Sequence, residues 1–259
     1  MRILLIGDVI GRPGRRLVQD LVPGLRREHE INLVIANGEN AAGGIGLTVD
    51  TAQELLASGV DVITSGNHIW DRREIIPALD GELPILRPLN YPHGVPGRGH
   101  LIVGDVLVVN LLGRVFVGNF DCPFRAMDQL LDTEVDRPRV AIVDFHAEAT
   151  SEKVAMGWYL DGRVSAVMGT HTHVGTVDAR VLPGGTAYIS DVGMTGPVDS
   201  VIGDEVDAVL GRFLTQMPHR LSAAKGRGML NSVLVDVDED TGKAESIVRL
   251  DREVESDDG

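Results

Sequence analysis

The sequence predicts an α/β protein that folds as a single domain over residues 1–254. In the first quarter of the chain, continuous apolar runs alternate with segments of helical spacing, and later segments pair around turn dipeptides. The strand-helix-strand order favours parallel pairing with right-handed crossovers, whereas the later pairs add antiparallel hairpins. With 259 residues, of which 43% are hydrophobic, the chain is long enough to bury a full core.

The opening segment is predicted to be a buried strand at residues 3–6, because four apolar residues follow one another there. Residues 7–11 are interpreted as the turn that leaves this strand. Pro13 suits the first turn of a helix. Leucines spaced four residues apart then predict a crossover helix that runs to Glu28.

The next strand is predicted at residues 33–36, and a polar turn follows it. Thr48 is the expected N-cap of a second helix, and Gly59 is expected to close that helix. Residues 60–63 form a further strand-like run, after which residues 64–71 place a glycine, an amide and an imidazole at its carboxyl end. Open α/β sheets carry their chemistry at such strand ends. Pro77 is expected to end a short helical segment.

The second part of the chain is predicted to combine a long surface loop, hairpins and two more buried strands. The predicted segments are a Pro/Gly-rich loop (84–99), a hairpin (100–103 and 106–110), a strand (139–146), a helix (151–160), a strand (164–168), a second hairpin (180–182 and 186–190), a helix through Val206, Leu210 and Leu214, a final hairpin (232–237 and 244–250) and an acidic tail (255–259).

The charge of the chain narrows its possible partners. A net charge of −14 and a pI near 4.9 disfavour binding to long nucleic acid or to an anionic membrane. A small anionic substrate stays compatible, because bound metal ions can reverse the local field. The single Cys122 excludes an internal disulfide, and neither a signal sequence nor a membrane span is indicated, so a cytoplasmic protein is expected.

Potential metal ligands follow several of the predicted strands. The candidate ligands are Asp8, Glu39, Asn40, Asn67, His146, His171 and His173. Such a mixture of carboxylates, amides and imidazoles suits Mn, Fe or Zn better than Ca or Mg. Two ions about 3.5–4 Å apart can clamp a phosphoryl group and lower the pKa of a shared water. The number of donors is about enough for two ions.

Each candidate also has a plain structural explanation. Asp8 could cap the following helix, Asn67 could close a turn, and the last two histidines could lie on the surface. The glycine-rich residues 43–46 look like a phosphate loop but lack the Lys and Ser/Thr of a P-loop. Cys122 has no neighbouring partner that would make it a nucleophile.

Taken in order, the strand-end motifs resemble those of the calcineurin-like metallophosphoesterases. The matching motifs are Gly7-Asp8, Gly38-Glu39-Asn40, Gly66-Asn67-His68, His146 and Gly169-Thr170-His171-Thr172-His173. Residues 37–42, 144–153 and 191–197 are similar to the YmdB-like bacterial branch of that superfamily, and the resemblance runs nearly end to end. Two positions depart from the wider pattern: Ile10 replaces a histidine, and Glu39 replaces the bridging aspartate. Both departures are typical of the YmdB-like branch.

The resemblance implies a four-layer α/β/β/α sandwich of two mixed sheets and a homo-oligomeric enzyme with two metal ions. It implies Fe or Mn, with Zn as an alternative. One ion would be held by Asp8, Glu39, Asn40 and His173, and the other by Glu39, Asn67, His146 and His171. His68 would stabilise the transition state or protonate the leaving oxygen.

The reaction that the resemblance implies is hydrolysis of small phosphodiesters, with 2′,3′-cyclic nucleotides opened at the 2′ bond to give 3′-nucleotides. Two alternatives remain open from the residues. One is a metal-dependent phosphomonoesterase or pyrophosphatase. The other is a regulatory protein whose metal site organises a surface for a partner.

Overall fold

A computed structural model of the protein describes residues 1–133 and 137–255. The helices are α1 Gly11–Glu28, α2 Val49–Ala57, α3 Ile76–Leu79, α4 Pro123–Thr133, α5 Thr150–Leu160 and α6 Val206–Thr215, with a 3-10 turn at Arg73–Ile75. The strands are β1 Arg2–Ile6, β2 Asp8–Val9, β3 Leu33–Asn37, β4 Val62–Thr64, β5 His100–Val103, β6 Val106–Leu112, β7 Val140–His146, β8 Ala166–Thr170, β9 Arg180–Val181, β10 Ala187–Ile189, β11 Met194–Pro197, β12 Gly228–Leu230, β13 Ser232–Val237, β14 Ala244–Arg249 and β15 Arg252–Val254.

Two large mixed sheets form the centre of the molecule. The first sheet has the order β14-β13-β1-β3-β4, in which β1, β3 and β4 are parallel and β13 and β14 are antiparallel to their neighbours. The second sheet has the order β5-β6-β7-β8-β10-β9, with a parallel centre and antiparallel strands at both edges. The predicted combination of parallel strands and later hairpins is therefore confirmed.

Successive side chains of each central strand point to opposite faces of its sheet, which explains why the sheets and helices form layers. In β1, Ile3 and Leu5 belong to the buried cluster between the two sheets, whereas Leu4 and Ile6 pack with α1 and α2 on the outer side. The second sheet likewise turns Phe145 and its neighbours toward α4 and α5. Because helices cover the outer faces, the strands are buried on both sides and read as continuous apolar runs. The predicted four-layer α/β/β/α sandwich is confirmed.

A third, four-stranded sheet was not predicted, and it corrects the interpretation of residues 7–11 as a simple turn. Its order is β15-β12-β11-β2, so Asp8 and Val9 form a strand parallel to β11. Backbone hydrogen bonds of 3.0 Å from the Asp8 amide to the Gly193 carbonyl and of 2.9 Å from Ile10 to Thr195 hold this strand. The pairing fixes Asp8 at the edge where the central parallel strands end.

Most local predictions agree with the structure. Thr48 caps α2 and exchanges hydrogen bonds with Thr51, and all three predicted hairpins are present. The helix α4 was not predicted, and Pro77 lies within the short α3 instead of ending a helix, as suits a proline in a first helical turn. Residues 256–259 of the predicted acidic tail lie outside the described residues. No helix within the described residues is both long and apolar enough to cross a membrane.

Candidate metal centre

All of the sequence-predicted site residues lie at one edge of the two central sheets. Asp8 belongs to β2, Glu39 and Asn40 follow β3, Asn67 and His68 follow β4, His146 ends β7, and His171 and His173 follow β8. The carboxyl ends of β3, β4, β7 and β8 are brought together because parallel strands within each sheet end on the same side and the two sheets pack face to face.

Three of these side chains form the tightest group. Glu39 Oε1 lies 3.0 Å from His146 Nε2, and His146 Nε2 lies 2.9 Å from His171 Nδ1. The ligand atoms of these three residues all lie within 4.8 Å of one another. Glu39 and His146 are buried, and His171 is half-buried. One metal ion would be able to contact all three.

A second group of donors also contacts Glu39. Asn40 Nδ2 is 3.2 Å from Glu39 Oε1 and 3.3 Å from His173 Nε2, and His173 Nε2 is 3.9 Å from Asp8 Oδ1. Rotation of the Asn40 amide by 180° would present its oxygen at the same place. Glu39 therefore contacts residues of both groups, as a carboxylate shared between two ions would.

Two buried oxygens test whether these residues suit a metal. Asp8 Oδ1 and Asn67 Oδ1 are buried and have no hydrogen-bond partner within the described residues. Leaving such atoms unpaired costs about 1–3 kcal/mol each, and more for a charged group. A cation would satisfy both oxygens, and the mixed oxygen and nitrogen donors are those that Fe, Mn and Zn accept. The residues fit a metal centre.

The electrostatics of the site also favour a cation. Burial raises the pKa of Asp8 to about 6. Burial opposes ionisation of Glu39 and His146 as well, but their mutual attraction lowers the pKa of Glu39 to about 2 and raises that of His146 to about 9. Burial, with the charge on His146, lowers the pKa of His171 to about 3. Because imidazole ligands must give up their proton to a metal, ion binding is expected to displace the proton on His146.

A buried polar network beneath the site orients His146. Thr170 Oγ1 donates a 2.7 Å hydrogen bond to Asp144 Oδ1, and Asn37 Nδ2 donates a 3.1 Å bond to Asp144 Oδ2. The single hydroxyl proton of Thr170 is thus used, so its contact of 2.9 Å with His146 Nδ1 requires a proton on that nitrogen. Nε2 therefore faces Glu39. The three supporting residues were not singled out from the sequence, although Asp144 is a charged residue within a buried strand, which is itself a signal.

The loop that carries His171 and His173 is held in an unusual conformation. Both residues have left-handed backbones, with φ of 102° and 66°, which non-glycine residues adopt only when the surroundings enforce it. Asp191 accepts hydrogen bonds from the Thr172 amide at 3.1 Å and from its hydroxyl at 2.7 Å. The buried Lys153 Nζ lies 2.6 Å from the same carboxylate. Asp191 and Lys153 thus form the support of this loop, which the sequence did not reveal.

The two histidines of the loop have partners on their outer nitrogens. His171 Nε2 lies 3.1 Å from Glu148 Oε2, and His173 Nδ1 donates a 2.8 Å hydrogen bond to the Ile202 carbonyl. These contacts leave His171 Nδ1 and His173 Nε2 directed toward the candidate centre, in the manner of outer partners that fix the tautomer of metal-ligating histidines. Glu148 is a further residue that was not singled out from the sequence.

Position 66 next to the donors depends on side-chain size, whereas position 10 lies outside the donor groups. A Cβ atom added to Gly66 would lie 2.2 Å from His146 Cδ2 and 2.4 Å from Glu39 Oε2, so only glycine fits there. Ile10, which replaces the histidine of the wider superfamily pattern, is buried and takes no part in the donor groups.

His68 lies at the exposed side of the site. Its backbone amide donates a 3.2 Å hydrogen bond to Glu39 Oε2, and its Nδ1 lies 2.8 Å from Asp71 Oδ2. The Asp71 carboxylate can only accept when it is ionised, so Nδ1 carries a proton and Nε2 is left for another partner. The side chain is 35% exposed, which makes it reachable by a substrate.

Comparison with known proteins gives consistent matches over nearly the whole chain. The family model described as "YmdB-like protein" matches residues 4–250. The 2′,3′-cyclic-nucleotide 2′-phosphodiesterase of Bacillus subtilis strain 168 is 48% identical over 254 residues, which cover 96% of each chain.

Two crystal structures share the fold throughout. A hypothetical protein from Thermus thermophilus is 47% identical with a TM-score of 0.92, covering 98% of this chain and 99% of that one. A Mycoplasma pneumoniae protein described as a novel phosphatase is 32% identical, also with a TM-score of 0.92, covering 99% of this chain and 95% of that one.

Proposed function

Because the chain belongs to the YmdB-like family, we propose that it is a metal-dependent phosphodiesterase that hydrolyses 2′,3′-cyclic nucleotides at the 2′ bond. The observation that carries the proposal is that Glu39 contacts both groups of donors. Its Oε1 lies within 3.2 Å of both His146 Nε2 and Asn40 Nδ2, and two buried oxygens nearby have no partner within the described residues. The activity in the name of the Bacillus subtilis relative supports the substrate class.

The proposed ligands divide into two sets that share Glu39. One set is Asp8, Glu39, Asn40 and His173, and the other is Glu39, Asn67, His146 and His171. Bound ions would polarise the phosphoryl group and lower the pKa of the attacking water. Asp144 and Thr170 hold His146 in the tautomer that presents Nε2, and Glu148 and the Ile202 carbonyl orient His171 and His173. The chain thus preorganises the donors before substrate binds.

His68 is the proposed proton donor to the leaving oxygen. Its Nδ1 is engaged by Asp71, so Nε2 is the nitrogen able to reach a substrate. The 2′ oxygen of a ribose is a poor leaving group, and its departure is easier when a positioned acid supplies a proton. The backbone contact between His68 and Glu39 ties this side chain to the metal ligands.

The central experiment is an assay of purified protein against a panel of phosphoesters, with elemental analysis of the same preparation. The panel contains 2′,3′-cyclic AMP, 3′,5′-cyclic AMP, bis-nitrophenyl phosphate, nitrophenyl phosphate and inorganic pyrophosphate. We expect 2′,3′-cyclic AMP to be cleaved fastest, 3′-AMP to be the product, and activity to disappear with a chelator. Faster cleavage of the monoester or of pyrophosphate would favour the alternative enzyme, and no turnover of any ester would favour a regulatory role.

Single substitutions distinguish the proposed metal ligands from the proposed proton donor. His146→Ala and Glu39→Ala are expected to lose metal together with activity, and full metal content in both would refute the ligand assignment. His68→Ala is expected to keep metal and fold but to lose roughly 10²–10⁴ in rate on cyclic nucleotides. Bis-nitrophenyl phosphate should be affected much less, because nitrophenolate leaves without a proton. Equal losses on both substrates would exclude the acid role.

A further inference from the structure

A basic cavity lies at the opposite edge of the second sheet from the candidate metal centre. It has a volume of about 310 Å³. Arg137 and Arg139 precede β7 and Arg163 precedes β8, whereas His146 and His171 lie at the carboxyl ends of those strands. Because β7 spans 7 residues at about 3.3 Å each, the cavity is about 20 Å from the centre. It is a separate site.

Four cations line this cavity, and its lining contains no carboxylate among the described residues. They are Arg137, Arg139, Arg163 and Lys243. Such a cluster of cations is unexpected in a chain with a net charge of −14. Arg163 pairs with Asp128 at 2.7 Å, but within residues 1–133 and 137–255 the other three cations have no carboxylate partner. Like charges held together without a counter-ion repel one another, so the cavity favours an anion.

The walls of the cavity are fixed by contacts between both central sheets. Ser165 Oγ donates a 2.6 Å hydrogen bond to the Gly242 carbonyl, and the Ala244 amide donates a 2.8 Å bond to the Gly185 carbonyl. These bonds attach the β13-β14 turn to the ends of the second sheet. Gly242 has φ of 72°, and a Cβ there would lie 2.4 Å from the Arg139 carbonyl. The glycine thus lets the turn that carries Lys243 approach the arginines.

The cations are also anchored through the backbone. Arg137 Nη2 donates a 3.4 Å hydrogen bond to the Arg163 carbonyl, and Arg139 Nη1 donates to the Asp240 carbonyl. Each of these bonds uses one of the five N–H donors of a guanidinium, and its acceptor is a neutral carbonyl and not a carboxylate. The remaining donors can form paired hydrogen bonds to phosphate oxygens.

We propose that this cavity binds a small molecule through two adjacent phosphate groups, as in a nucleoside diphosphate. The three cations that have no carboxylate partner among the described residues match the several negative charges of a diphosphate better than the single charge of a carboxylate. The volume is in the range of about 300–1,000 Å³ that is usual for small-molecule sites. The cavity is distinct from the phosphodiester site of the proposed function and does not depend on it.

The test follows the backbone amides of Gly162, Gly185 and Gly242, which line the cavity, by nitrogen-15 NMR. The probe is methylenediphosphonate, whose P–C–P bond a phosphoesterase does not hydrolyse. We expect saturable shifts of these amides in the wild-type protein, weakened by added salt. Arg137→Gln combined with Lys243→Gln should weaken binding at least tenfold. The control Arg27→Gln with Arg212→Gln, both exposed and on helices, changes the net charge equally and should leave binding unchanged.

The His146→Ala variant separates this site from the metal centre. If the proposal is correct, the three glycine amides shift in that variant as in the wild-type protein. Loss of the shifts in His146→Ala would assign them to the metal centre and overturn the proposal. Wild-type affinity in the double cavity variant, or no saturable shift with millimolar probe, would also overturn it. Unchanged turnover of 2′,3′-cyclic AMP by the double variant would show that the metal centre is intact.

Discussion

Gly66→Ala is the substitution that tests the geometry of the metal centre most directly, because it alters no ligand. The added Cβ would lie 2.2 Å from His146 Cδ2 and 2.4 Å from both His146 Nε2 and Glu39 Oε2. An ordinary contact requires at least about 3.4 Å, so the imidazole must retreat by about 1.2 Å. Gly66 is not among the residues with positive φ, so alanine causes no backbone strain there. The effect is therefore steric.

His146 has little room to retreat. It is fully buried, its Nδ1 is held by Thr170, and its ring packs against His171 with 4.7 Å between centroids. Overpacking of this kind costs about 1–3 kcal/mol of folding free energy. Loss of support for a ligand typically weakens metal binding about 10–100-fold, and a displacement of about 1 Å can lower the rate about 10²-fold. We expect all three effects in Gly66→Ala.

The measurements are metal affinity by competition with a chromogenic chelator, turnover of 2′,3′-cyclic AMP, and thermal unfolding. Gly24→Ala is the matched control, because its added Cβ would meet no atom within 4 Å apart from its chain neighbours and its own helix backbone, and the residue is inside α1. That control should bind metal normally and gain up to about 1 kcal/mol of stability from its helix propensity. If Gly66→Ala bound metal and turned over substrate like the wild type, the proposed positions of Glu39 and His146 around a metal would be refuted.

Three further predictions concern the support of the site, the metal and the assembly. Thr170→Val removes the hydroxyl between Asp144 and His146, so denaturant titration should show that the free energy of unfolding falls by about 1–3 kcal/mol. Metal binding should also weaken. Wild-type values for both quantities would contradict the network of Asp144, Thr170 and His146. Removal of metal by a chelator should lower the calorimetric melting temperature, because Asp8 Oδ1 and Asn67 Oδ1 are then buried with no partner in the part of the chain that the structure describes; adding Mn or Zn should restore it, and an unchanged melting temperature would count against the centre. Light scattering should give a multiple of 27.8 kDa, whereas the monomer mass at all concentrations would exclude the predicted homo-oligomer.

The sequence by itself determined the central strands and the chemistry at their ends. The apolar runs at β1, β3 and β7 are continuous because sheets and helices cover both faces of these strands. A continuous run of apolar residues in the sequence therefore predicts a strand that is buried on both faces. The donors after β3, β4 and β8 were predicted to be neighbours because parallel strands deliver their carboxyl ends to one edge. Thr48 was equally predictable as a helix cap, because capping depends only on the cap residue and on the first helical turn that follows it.

Only the tertiary structure decided the features that depend on pairing between distant segments. Strand β2 exists because β11 pairs with it, and a two-residue strand has no periodicity of its own. Asp144 and Thr170 lie on adjacent strands, and the register that places Thr170 beside His146 creates the hydrogen-bonded path from Asp144 through Thr170 to His146. The basic cavity collects its four cations from three segments of the chain that carry no common motif. Local sequence patterns encode which face of an element is buried, but the partner across a sheet or cavity is set by long-range packing.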